Sequence, residues 1–563
     1  MKEKSNIYSI VAIVMVAAVS CIGGGYFVFA SAVLSVVLMC ILLTGIWRSG
    51  QYRIAMDWNM LSLVVVSIGY LCVSIWAVDQ GMAFTGFIKF LPVMLFGLYM
   101  CRYVNNREWI IQILPYIGSL MTLFSIIMMQ FKAFRGWVTV AGRLSGFFQY
   151  PNTYAVFMLI CMVLAIYEFD IKKTDIWNIF NIVAAVAGIL LSGSRMVYLL
   201  FILTIVLLVI HKKEIRKMAI GIMGVGVLVI LAETLFGSGN IMHRIMTITT
   251  SSSTLLGRIL YWKDAVGIVL KHPFGTGYYG YYYLQQEVQT GVYSVVNAHN
   301  ELLQLMLDIG VIPALIIYGN LIRLIVKSEN TRNRIILLIL VMHSLFDYDL
   351  QFAVMWMVLI LFMDFKNMKE GRIPIFSKVC VTVAGIVAAI CTVFIGSSDA
   401  VYMQGNSKLA LKLYEGNMQA RISVLSDTKG AIKLKKQAEN ILERNSHVSV
   451  AYSALALSAF SDGDIESYIK YKLTAIKMAP YQYDEYVDYL DTLLYCADEY
   501  LDSDDKESAR TCVLRAAQVP ELLKEAEEKT SSLGWKIHDI PQVRLSHSES
   551  NRIEEYQNKI NQN

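Results

Sequence analysis

Charge is scarce in this chain. Asp, Glu, Lys and Arg make up 17% of 563 residues, against 56% hydrophobic residues, and mean hydropathy is +0.51. That excess of apolar surface argues against a single soluble globule. Also missing are an Asp-rich pair, an HExxH, a GxSxG and a phosphate-loop glycine motif. Nine cysteines show no metal-ligand spacing. Neither a metal nor another cofactor is therefore expected. Cys21, Cys40, Cys72, Cys101, Cys161, Cys380 and Cys391 fall in or beside apolar segments as small packing residues, while Cys496 and Cys512 pair only if their helices are adjacent. Net charge is only +5 and lies in short clusters, not one stripe, which leaves a nucleic-acid partner without a footprint.

What the chain has instead is long apolar runs, of the roughly 17–25 residues that span a bilayer as a helix. They fall at 7–22, 26–46, 60–78, 84–101, 109–130, 152–168, 176–194, 196–210, 217–236, 302–326, 333–346, 350–365 and 378–396. The expected fold class is all-α: a polytopic transmembrane helical bundle of about 12–14 spans over residues 1–396, then a small soluble helical-repeat domain over 397–563. The segment 237–301 forms one large outer loop. Met1–Lys4 followed by Ile7–Ile22 resembles a signal sequence but lacks a small-residue cleavage site, so it is read as a retained first helix.

The positive-inside rule orients the bundle. With the N-terminus cytoplasmic, the inner loops collect Lys2, Lys4, Arg48, Arg53, Arg102, Arg107, Lys172, Lys173, the HKKEIRK run at 211–217, the basic run at 323–334, Lys366, Lys369 and Arg372. The short outer loops around Asp79 and Asp347 hold no Lys or Arg. An odd number of spans puts 397–563 outside the cell membrane. Lys132, Arg135, Arg143, Arg195, Arg244, Arg258, Lys263 and Lys271 then lie on the outer face and need a reason.

Three of them sit in informative surroundings. In LLSGSRMVYLL (190–200), Arg195 stands between two apolar spans with almost no loop. A lipid-facing guanidinium there is costly, so it either snorkels to the interface or points into a protein-lined cavity. Ser192, Gly193 and Ser194 permit a tight turn with exposed backbone N–H groups, a potential anion nest. STLLGRILYWKDAVGIVLKHPFGTGYYGYYY (253–283) begins as an amphipathic helix with Ile259, Trp262, Val266 and Val269 on one face and Arg258 off it. HPFGTG ends it, and Tyr278, Tyr279 and Tyr281 are rings suited to the membrane interface or to stacking on a sugar. In AHNELLQLMLDIG (298–310), His299 precedes an apolar run on the same outer face. It is either a capping or interfacial residue or a proton acceptor, with Asn300 and Glu301 as its expected supports. AGRLSGFFQYPNTYAVF (141–157) adds Arg143 and Asn152 beside Pro151 at a helix start. Lys89 lies inside the fourth span, where a lysine is functional or snorkels outward.

Several guanidinium groups suit a diphosphate, which arginine grips bidentately. A nearby imidazole can deprotonate a hydroxyl. The matching chemistry is metal-independent glycosyl transfer from a lipid diphosphate. The ordered set SGSR (192–195), GRILYW (257–262), HPFGTGYYGY (272–281) and AHNELLQLMLDIGVIP (298–313), with GRLSGFFQYPN (142–152) upstream, resembles the O-antigen ligase/polymerase family over roughly residues 60–365. The resemblance implies a GT-C-like transferase of the cell membrane. It moves a glycan from an undecaprenyl-diphosphate carrier to a glycan or lipid acceptor, as ligase or polymerase, in company with envelope polysaccharide assembly proteins. It also implies that Arg195 and Arg258 bind the diphosphate and His299 is the base. The competing readings are a transporter of polysaccharide or lipid-linked sugar, and a non-catalytic assembly scaffold.

Residues 445–480 resemble a tetratricopeptide repeat, with Tyr452, Leu455, Ala456, Ala475 and Pro480 at its spacing and Tyr468 departing from it. A second, degenerate unit follows from Tyr486. Beyond about Gly534 the tail is polar and expected to be poorly ordered.

Overall fold

The computed structural model describes residues 2–169, 175–211, 215–236, 240–246 and 253–562. Lys172 and Lys173, residues 212–214 of the HKKEIRK run, and stretches 237–239 and 247–252 of the large loop lie outside the described residues.

Among the described residues the chain is all-α apart from two short ladders. Among the described residues, six helices are long and apolar enough to cross a membrane: Val28–Ser49, Gln80–Tyr103, Arg107–Met128, Pro151–Glu168, Arg216–Leu235 and Ile375–Met403. Ile7–Cys21, Trp58–Val73, Ile176–Ser192 and Arg195–Ile210 are apolar but shorter. Helix is the form that satisfies its own backbone polar groups in hydrocarbon. Side chains start several of these helices: Asp57, Asp79 and Asn106 accept from the amides of Met60, Met82 and Trp109. Pro151–Glu168 is the centre of the bundle, 83% buried along its apolar window, whereas only 17% of that window is buried in Ile375–Met403 at the rim.

Two expected spans take another form. The run 302–326 is two helices, Glu301–Ile309 and Val311–Lys327, broken at Gly310 with φ 95°. The HPFGTG backbone occupies the break. Thr276 and Gly277 donate to the carbonyls of Leu307 and Asp308, and Val311 donates to Pro273. A Cβ at Gly275 would lie 2.8 Å from the Gly310 nitrogen, so glycine is required for this approach. The run 350–365 is the 3₁₀ turn Asp349–Gln351 and a nine-residue helix, Ala353–Leu361, too short to cross alone.

At one end of the bundle, Gln51–Ala55 pairs antiparallel with Met368–Arg372, tying two basic loops to one face. At the other end the C-terminal helices pack as successive pairs, Ser449–Ser461 on Ile465–Met478 and Tyr483–Asp502 on Lys506–Ala516. Their core holds Tyr468, Tyr486, Tyr489 and Leu490. Cys496 and Cys512 are buried and free. The polar tail is not shapeless: His547–Gln562 is a helix whose Ile553, Tyr556 and Ile560 rest on this core. Arg552 pairs with Asp491 and Lys559 with Asp498. Its polarity reflects one exposed face, not a lack of order. These helices also touch the helix Gly280–Val288: His447 Nδ1 meets Glu287 at 2.5 Å and Ser449 donates to Gln286.

Candidate functional site

The site is built around Asp347, in the turn after the helix Thr331–Ser344. Its side chain is 1% exposed and accepts five hydrogen bonds. Oδ1 takes the Tyr150 hydroxyl at 2.7 Å, the His299 Nδ1 at 3.1 Å and the Tyr348 backbone N–H at 3.1 Å. Oδ2 takes the Asn152 amide at 2.7 Å and the Arg258 guanidinium at 3.1 Å. Burial opposes ionisation here, but Arg258 and the His299 hydrogen bond outweigh it, and the carboxyl sits well below the usual carboxylate range. Arg258 gains in return: burial disfavours its charge, and Asp347 more than compensates.

Each partner arrives from a different element. Asn152 lies in the first turn of Pro151–Glu168. Arg258 lies on Ser253–Lys271, near the start of that helix. His299 immediately precedes the Asn300 cap and holds φ 51°, a left-handed conformation that costs a residue with a Cβ of order 1–3 kcal/mol. With Nδ1–H donated to Asp347, Nε2 is left as the acceptor. His299 and Arg258 line a cavity of about 360 Å³, together with Tyr261 and Val292.

A second group of cations joins through Asn152. The hairpin Thr139–Val140 to Arg143–Leu144 turns through Ala141 and Gly142, both at positive φ, and presents Arg143. Arg143 donates to Asn152 Oδ1 at 2.6 Å and to the Ser192 carbonyl at 2.7 Å. Burial and the neighbouring Arg244 lower its pKa to about 10. Arg244 donates to the Gly193 carbonyl, and burial and then Arg195, which opens the next helix from this same turn, make its charge less favourable. The turn at 192–195 thus carries three guanidinium groups in a cluster whose charge an anion would relieve.

The other sequence candidates lie elsewhere. Asn300 caps Glu301–Ile309 through the Leu303 amide. Glu301 is fully buried and accepts from Leu350 N and Gln351 Nε2, bracing the turn after Asp347 instead of touching His299. The expected support of His299 by these two neighbours is therefore replaced by Asp347. Lys89 is buried, with Nζ 4.3 Å from the Tyr26 ring centroid and 3.3 Å from the Tyr278 hydroxyl, and does not join the Asp347 hydrogen bonds. Tyr278 and Tyr281 stand away from the Asp347 crevice, and Tyr278 lines a small cavity with Tyr279. Tyr278 is buried against Lys89, and Tyr281 sits in a core with Ala265, Ile268 and Leu307. The cavity shared by Tyr278 and Tyr279 is about 50 Å³ and is also lined by Asp399. The rings at the Asp347 crevice are Tyr150, Tyr261 and Tyr348, with Tyr348 edge-on to His299 at 5.0 Å.

Sequence reasoning missed Asp347, Tyr150 and Arg244 as site residues. The signal for Asp347 was present in FDYDL (346–350): a carboxylate between two apolar runs must find a partner. Tyr261 stood inside the quoted GRILYW motif.

A family model, Wzy_C, described as O-antigen ligase, matches residues 180–318. The match takes in Arg195, Arg244, Arg258 and His299, and leaves Arg143, Asn152 and Asp347 outside. It supports the O-antigen ligase family, and with it glycan ligation or polymerisation at the membrane by an integral membrane protein. Neither a curated protein nor a solved structure matches the chain.

Proposed function

We propose that this chain transfers a glycan from a lipid-diphosphate carrier, of the undecaprenyl type, to an acceptor hydroxyl at the outer face of the cell membrane, with no metal taking part. The observation that carries the reading is Asp347 holding Arg258 and His299 in one crevice, with Arg143 one amide away.

The geometry supports the following roles. Arg258, Arg195 and Arg143 bind the diphosphate, because guanidinium matches phosphate oxygens in charge and in bidentate shape. His299 Nε2 takes the proton of the acceptor hydroxyl. The freed oxygen forms a bond to the anomeric carbon, the bond from that carbon to the diphosphate oxygen breaks, and lipid diphosphate leaves with its charge held by the arginines. Asp347 positions the imidazole and stabilises the imidazolium, while Arg258 keeps Asp347 ionised. The C-terminal helices form an extracytoplasmic, tetratricopeptide-like domain that meets the acceptor or an assembly partner.

The test is incubation of the purified protein with a lipid-diphosphate oligosaccharide. Release of lipid diphosphate with glycan transfer is expected, and its loss in Arg258→Ala and His299→Ala. Uptake of the lipid-linked glycan into vesicles with no release would instead favour transport, and full activity in both variants would remove the assigned roles.

A further inference from the structure

The cavity that His299 and Arg258 share is also lined by the C-terminal tail. Its lining residues there are Ile537, His538 and Asp539, more than 230 residues along the chain from His299. The tail is seated there by specific contacts. Ser531 N donates to the Thr290 carbonyl at 2.9 Å. A Cβ on Gly534 would stand 2.4 Å from that carbonyl and 3.0 Å from the Gly291 Cα, so only glycine admits this approach. Ile537 is 8% exposed and packs with Leu260 and Tyr293, on the same helix that carries Arg258 and on the loop leading to His299.

The side chains that follow are not used by this packing. His538 and Asp539 are exposed by 87% and 68% and are joined to each other at 2.9 Å. The half-buried Tyr261 ring also lines this cavity, 6.2 Å from His299, and packs against the cluster that holds Ile537. Such a cavity, of about 360 Å³, offers an aromatic face and polar acceptors in the same space that His299 lines. Charge sorts its two directions. The guanidinium groups at the 192–195 turn lie away from it, reached from Arg258 through Asp347 and Asn152, and suit a diphosphate. The Asp539 carboxylate repels a diphosphate and suits the hydroxyls of an uncharged sugar.

Resting on the function proposed above, we infer that this tail segment is part of the sugar-binding surface of the acceptor side: the glycan that supplies the nucleophilic hydroxyl lies in this cavity against Tyr261 and the tail, with His538 and Asp539 as specificity residues. The C-terminal helices then have a direct part in the reaction, holding this surface in place.

The experiment uses the full-length protein, the lipid-linked oligosaccharide extracted from the source cells as donor, and the same oligosaccharide freed of its lipid as the acceptor-side probe. Saturation-transfer NMR should show the free oligosaccharide bound by the wild type. The double variant His538→Ala/Asp539→Ala, which changes only exposed groups, should weaken that binding at least tenfold, and Asp539→Asn, which keeps an acceptor oxygen, should weaken it less. Arg195→Ala, outside the cavity, should bind the free oligosaccharide as the wild type does while losing lipid-diphosphate release. Undiminished binding in the double variant, or no binding in the wild type, would overturn the tail's role. Undiminished lipid-diphosphate release in both Arg195→Ala and Arg258→Ala would instead overturn the function on which it rests.

Discussion

The two ends of the helical bundle both carry arginines, and they treat them differently. At the end marked by the 51–55 ladder, Arg332 is paired with two carboxylates, Glu108 at 2.8 Å and Glu168 at 3.4 Å. Arg323 is held by Asn59 and Asn320. A cavity of about 930 Å³ opens there, lined by Arg323 and Lys327 together with Asp57, Glu329 and Asp364. At the opposite end, Arg143 is held by neutral oxygens next to another guanidinium, and Arg258 shares its one carboxylate with a histidine. Cavity size therefore points one way and chemistry the other. Arg332, matched by carboxylates, is already satisfied, and Arg323, held by amides, lines its cavity together with Asp57, Glu329 and Asp364, whereas Arg143, held by a carbonyl and an amide beside a like charge, gains most from an incoming anion.

That contrast can be broken by substitution. The largest effect is expected for His299→Ala, a loss of about 10²–10⁴-fold in transfer rate as for a general base, measured as lipid-diphosphate release. Arg258→Ala should cost about 10²–10³-fold, the range for one donor to developing negative charge. Asp347→Ala acts on stability as well. It strands Arg258 in a buried position, an effect of about 3–5 kcal/mol, and should appear as a large drop in melting temperature in detergent. Arg332→Ala, at the other end, should leave the rate within about twofold, because it touches no part of the crevice and the two carboxylates it frees are partly exposed. A rate loss there comparable to that of Arg258→Ala would erase the distinction between the ends.

The smallest effect is a pH dependence. Burial raises the Asp79 carboxyl to about 6, against backbone hydrogen bonds from Met82 and Gly81 that lower it. A raised folded-state pKa means that the folded protein binds the proton more tightly than the unfolded chain, so stability falls as pH rises from about 4 to about 6. Asp79→Asn should remove that dependence, and the melting temperatures of variant and wild type should draw together on acidification from pH 7 to pH 5. Asp347 behaves in the opposite sense. Its depressed pKa contributes stability above the ordinary carboxylate range, lost only in strong acid.

Much of the helical architecture was legible because membrane spans announce themselves by length and composition. Pro151 at a helix start followed from local chemistry. The break at Gly310 did not, since it depends on the HPFGTG backbone arriving from thirty-odd residues upstream. Within the site, Arg258, His299, Arg143 and Asn152 stood out as polar groups at the mouths of apolar runs. The residue that joins them, Asp347, was read only as a loop without positive charge. For the tyrosines of YYGYYY composition shows that rings are present, and only packing shows that Tyr281 lies in a core, Tyr278 and Tyr279 line a separate small cavity, and Tyr261 lines the crevice. The tail helix His547–Gln562 was hidden because its one apolar face is narrow.

The central claim is that the diphosphate belongs at the Asp347 end. The most direct measurement is an electron cryomicroscopy map of the full-length protein with a non-hydrolysable lipid-diphosphonate oligosaccharide. The account predicts the two phosphonates between Arg258 and the turn at 192–195, with His299 facing the anomeric carbon. Phosphonate density in the large cavity beside Arg323 and Lys327 would contradict it.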